Sequence, residues 1–129
     1  MAKKPVLRFD YSFPYERTLA KLGKIKIAKN HDEILYKKEV QAQKIWNKYE
    51  KKAFALFGEI YKIKILEKFI KAYISLIVPG SFSDPLTISI KRFPDIENNA
   101  RSKRAFVYVT IHELAHYFAY SRPKNCFFN

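Results

Sequence analysis

From Lys103 to Tyr120 the chain runs without a glycine or a proline, and Pro123 follows shortly after. Proline donates no backbone N–H and its ring clashes with the preceding turn, so the stretch reads as one helix that stops just ahead of it. Ser102 is read as its N-cap. Within this helix stands His112-Glu113-Leu114-Ala115-His116. No other feature constrains the chain as much, because it demands a helix and dictates which side must stay reachable. Residues four apart lie about 40° apart around the axis and about 6 Å apart along it. Two imidazoles so placed can close on one tetrahedral ion, with nitrogen–metal bonds of about 2.0–2.1 Å. His112 and His116 are therefore the candidate metal ligands, and Zn2+ is the candidate ion. Glu113 follows the first ligand directly, so its carboxylate falls beside the ion and can take a proton from water activated there.

The surroundings fit that use. Val109, Thr110, Ile111, Leu114, Ala115, Tyr117 and Phe118 are uncharged in a protein where 29% of residues carry charge. One flank of the helix is thus suited to burial while the other holds the histidines. The flank of Ile111, Leu114, Ala115 and Phe118 is expected to pack on an earlier helix carrying Ile45, Trp46 and Tyr49.

That earlier helix begins near Asn30, read as an N-cap with Glu33 at capping-box spacing. Ile34, Leu35, Val40, Ile45, Trp46, Tyr49, Ala53 and Phe57 recur mostly three to five apart, one apolar stripe on a long helix that Gly58 would end. His31, at its start, is read as a capping or surface residue. Ile60–Leu66 and Ala72–Val78 are β-branched and aromatic and read as strands, with a continued helix as the alternative. Leu86–Phe93 is a clearer strand, with Leu86, Ile88 and Ile90 on one face and Thr87, Ser89 and Lys91 on the other. Residues 5–13 offer one more short strand. Residues 1–30 otherwise read as an N-terminal arm, and residues 31–129 as the domain, incomplete toward its C-terminal end.

The segment Val109–Phe118 resembles the extended signature of the zincin metallopeptidases. The order of long helix, strands and active-site helix is similar to the minimal core of that family, nearest the small archaeal gluzincin-like enzymes, with SprT-like and WLM-type proteases as cousins. The resemblance implies an α+β fold: a zincin-like minimal core with a long backing helix, a small mixed sheet of about three strands, and the active-site helix. It makes Leu86–Phe93 the strand that lines the cleft. It implies a zinc-dependent peptidase acting on a peptide or protein substrate, with Glu113 as general base and His112 and His116 on the metal. The family takes a third ligand downstream of the motif, yet the thirteen residues after His116 contain no His, Asp or Glu. The metzincin branch is excluded by Ala119 and Arg122, where it requires Gly and His. Three explanations stay open: a ligand beyond residue 129, a site completed by a partner or degenerate, or Cys126 binding as thiolate.

Composition bears on partners. Lys and Arg outnumber Asp and Glu by 25 to 12, a net charge of +13. A Lys-rich solvated surface accounts for this, and nucleic acid is a candidate partner on charge alone. The second functional reading is accordingly a basic binding module on a zincin scaffold that no longer cleaves. A single cysteine fits a reducing compartment, and no apolar run reaches membrane-spanning length, so a cytoplasmic protein is expected.

Overall fold

The computed structural model describes residues 6–61 and 69–121. Its elements follow one another as β1 (Leu7–Asp10), α1 (Phe13–Leu22), α2 (His31–Asn47), α3 (Glu50–Tyr61), β2 (Ile70–Ser75), β3 (Phe82–Ser83), β4 (Leu86–Ser89), a 3-10 turn (Ile90–Arg92) and α4 (Ala100–Ser121). The fold is α+β. Four strands lie in the order β1-β2-β4-β3, with β1 and β4 both parallel to β2, and β3 antiparallel to β4.

One face of the sheet is apolar. Leu7, Phe9, Ile70, Ala72, Ile74, Leu86 and Ile88 alternate along three strands and enter the main core with Leu35, Ile45 and Trp46 of α2 and Phe106, Leu114 and Phe118 of α4. Phe106 is the keystone of that packing, its ring 5.5 Å from Phe9 and 5.9 Å from Phe93. The expected packing of the last helix thus holds for Leu114 and Phe118. Phe57 of α3 meets the Phe118 ring edge-on at 5.6 Å, while Tyr49 is 37% exposed.

The opposite face is buried too. Thr87, Ser75 and Ser89 are fully enclosed. Helix α1 reaches Thr87 through Tyr15, which bonds it at 2.7 Å and stacks at 4.5 Å on Tyr73, and reaches Ser75 through Glu16, while Ser89 meets the loop at Val78 and Ser81. Ser12 caps α1 by accepting from Tyr15 N. The stretch read as an N-terminal arm therefore supplies a strand and a helix to the sheet.

The long helix expected from Asn30 to Gly58 is two helices. Tight turns at Lys48 and Tyr49 separate them, although neither Gly nor Pro stands there. The physical reason lies in Glu50. Its carboxylate accepts from the backbone N–H of Val6 (2.9 Å) and Leu7 (2.7 Å) and from the Trp46 indole (3.0 Å), and charge-assisted bonds of this kind outweigh continuing one helix. Gln43 adds two more, accepting from Phe9 N at 2.7 Å and donating to Leu7 O at 3.1 Å. Together they engage the Leu7 N–H and C=O and the Phe9 N–H on the outer side of β1.

Six other expectations are corrected. Gly58 sits inside α3 and stops nothing. Ile60 and Tyr61 are helical, and the remainder of the strand expected over residues 60–66 falls outside the described residues. The strand expected at Ala72–Val78 runs from Ile70 to Ser75. The Leu86–Phe93 strand ends at Ser89 and gives way to the 3-10 turn. Asn30 precedes α2 without a side-chain capping bond, and α4 is capped by Asn99, whose Oδ1 accepts from Ser102 N at 3.0 Å, so Ser102 is helical. Among the described residues no helix is long and apolar enough to cross a membrane.

Candidate metal centre and cleft

Helix α4 packs Leu114 and Phe118 inward and turns His112 outward, as the 3.6-residue repeat requires. His116 lies one turn on, and the two Nε2 atoms stand 3.2 Å apart with the rings nearly perpendicular. Two corners of a tetrahedron with metal–nitrogen bonds of about 2.0–2.1 Å lie about 3.3–3.4 Å apart. The imidazoles are thus spaced as two ligands of one zinc ion would be, and the donor set fits the metal. Among the described residues no third His, Cys, Asp or Glu joins them. Cys126 falls outside the described residues.

Glu113 is 9% exposed. Its side chain helps line a cleft of about 620 Å3 that His112 shares. Among the described residues no donor engages its carboxylate, which leaves lone pairs available for a proton.

The cleft runs between α4 and the sheet's far side. Tyr108, Val109, His112 and Glu113 form one wall, and Gly80, Ser81, Arg92 and Phe93 form the other. Sequence reasoning placed the whole Leu86–Phe93 strand along the cleft, but β4 is interior, between β2 and β3. What reaches the cleft is the loop before β3 and the turn after β4. Arg92 and Ser81 carried no signal in the sequence as site residues, apart from Arg92 falling at the end of the strand expected there.

A buried polar network holds the loop wall. Glu16 of α1 is 1% exposed and accepts from three donors: Ser75 Oγ (2.6 Å), Leu76 N (2.9 Å) and His31 Nε2 (2.7 Å). Ser75 Oγ in turn accepts from Ile77 N (3.0 Å) and Val78 N (3.3 Å). Ser89 donates to Val78 O at 2.6 Å, and its N–H reaches Ser81 Oγ at 2.8 Å. His31 is thus neither a cap nor a surface residue but the partner of a buried acid. A second hollow, about 240 Å3 and mostly apolar, adjoins the cleft between α3 and α4, sharing Tyr108 and His112 and bounded by Leu56, Phe57 and Ile60.

No protein-family model, no curated protein and no solved structure matches this chain.

Proposed function

We propose that the protein is a zinc-dependent peptidase of zincin type, and the observation that carries this is the 3.2 Å convergence of His112 and His116 beside Glu113 in an open cleft. A zinc ion held there supplies Lewis acidity, lowering the pKa of water and polarising a carbonyl. The chain's own residues do the rest. His112 and His116 bind and orient the ion. Glu113 accepts the proton of the attacking water and delivers it to the departing amine. The cleft wall before β3 lays an extended peptide beside α4, and the apolar hollow gives one of its side chains a dry seat.

The test is incubation of the zinc-supplemented protein with casein and a peptide library, read by mass spectrometry. Cleavage should vanish with a chelator, return with zinc, and fall about 10²- to 10⁴-fold in Glu113→Gln with zinc binding retained. A zinc-loaded protein that cuts nothing across the library overturns the reading.

The basic binding module is the second reading, favoured by the +13 charge and by the two-histidine donor set. Salt-sensitive binding of nucleic acid by a protein without peptidase activity would establish it. We place the protein in the cytoplasm on its single cysteine.

A further inference from the structure

Only two charged side chains, Arg92 and Glu113, line the cleft among the described residues. Their settings differ. Glu113 is nearly buried on the α4 wall, whereas Arg92 is exposed on the opposite wall. Arg92 closes the 3-10 turn after β4, and its Nη1 donates to Pro79 O at 3.1 Å. Its neighbour Lys91 spends its ammonium similarly, on Ile77 O at 3.1 Å.

One bond to a carbonyl pins the plane of a guanidinium but uses one of its five N–H donors. Among the described residues no carboxylate lies within ion-pair distance of Arg92. A planar cation fixed along one side, with donors left over at the mouth of a cleft, matches a planar carboxylate in paired hydrogen bonds. The one acid that lines the opposite wall among the described residues is the nearly buried Glu113. Arg101 stands one turn before Ala105, a lining residue of α4. The acids Asp95 and Glu97 follow Phe93 without lining the cleft, and the net charge of +13 biases the protein as a whole toward approaching anions.

We propose that Arg92 selects peptides bearing a carboxylate close to the bond presented to His112 and Glu113, a specificity assignment that rests on the peptidase reading. The carboxylate is that of an Asp or Glu side chain or of a free peptide C-terminus, since both offer the same two oxygens.

Binding of fluorescent peptides to the Glu113→Gln protein in the presence of zinc tests this without cleavage. One series carries an internal Glu and an amidated end, one a neutral sequence with a free C-terminus, and one a neutral sequence with an amidated end. Either carboxylate series should bind about tenfold or more tightly than the neutral amidated one, and the stronger of the two names the source. Adding Arg92→Gln should erase the difference, Arg92→Lys should keep part of it, and Arg92→Glu should turn the preference toward Lys-containing peptides. Equal binding of all three series overturns the proposal even before Arg92 is changed, as does a preference that survives Arg92→Gln. Wild-type protein that binds acidic peptides through Arg92 yet cuts none sinks the peptidase reading and leaves the carboxylate site standing. Wild-type protein that cuts neutral and acidic peptides equally does the reverse.

Discussion

Glu16 and His31, fifteen residues apart in the chain, meet at 2.7 Å beneath the loop that walls the cleft. Both are buried, and the carboxylate takes two further donors from Ser75 and Leu76. Ser75 can donate to Glu16 because its own oxygen is occupied by the N–H groups of Ile77 and Val78. The wall therefore hangs from one acid on α1.

Glu16→Ala should destabilise the fold by about 3–5 kcal/mol, because it leaves three buried donors without their acceptor. Chemical denaturation measures this. Glu16→Gln should cost less, since the amide oxygen still accepts, and a loss no greater than that of an exposed substitution would show the network to be unimportant.

Phe118→Ala should cost about 3–5 kcal/mol, because Phe118 is 2% exposed and fills the junction between α3 and α4. Thermal unfolding reads the loss. The same variant should loosen the apolar hollow beside His112, whose wall includes Phe57.

Zinc bound by the protein should disappear from elemental analysis after gel filtration in the doubly substituted His112→Ala, His116→Ala protein. Glu113→Gln should keep it, because the proposed site uses the carboxylate as a base and only the two histidines as ligands. Full zinc occupancy in the double variant would place the metal elsewhere.

Burial, and then the nearby charge of Asp10, raise the pKa of Glu39. The folded chain therefore holds that proton more tightly than the unfolded chain, so the carboxylate weakens the fold once pH rises through its raised pKa. Glu39→Gln should be slightly more stable than wild type at neutral pH, with the gap closing as pH falls through the carboxylate range. The effect is small because much of the side chain still meets water. Parallel melting curves of the two proteins across pH measure it.

The last helix and the start of β4 were legible in the sequence because each is governed by local pattern. In the first, eighteen residues lack any breaker. In the second, Leu86 and Ile88 alternate with Thr87 and Ser89. The break at Lys48–Tyr49 was not legible, since its cause is a carboxylate reaching residues 43 and 44 positions away. Nor was the burial of Thr87 and Ser89, covered by Tyr15 of α1 and by the loop at Val78 and Ser81, since those contacts join residues far apart in the chain. For the candidate site, the histidine pair and Glu113 could be read from spacing alone. The opposing wall could not, because Gly80, Ser81 and Arg92 come together only through the turns flanking β3 and β4.

The outer side of β1 is stitched to Gln43 and Glu50, whereas the sheet ends on its other side in a β3 of two residues. Self-association through the sheet is limited by that asymmetry. Among the described residues, a newcomer's strand finds the Leu7 N–H and C=O and the Phe9 N–H on the β1 side already engaged, which favours addition beside β3. Two copies joined β3 to β3 would present the partly stitched β1 at both outer edges. Growth of this kind is disfavoured beyond a pair, so the described strands offer a poor template for fibril elongation.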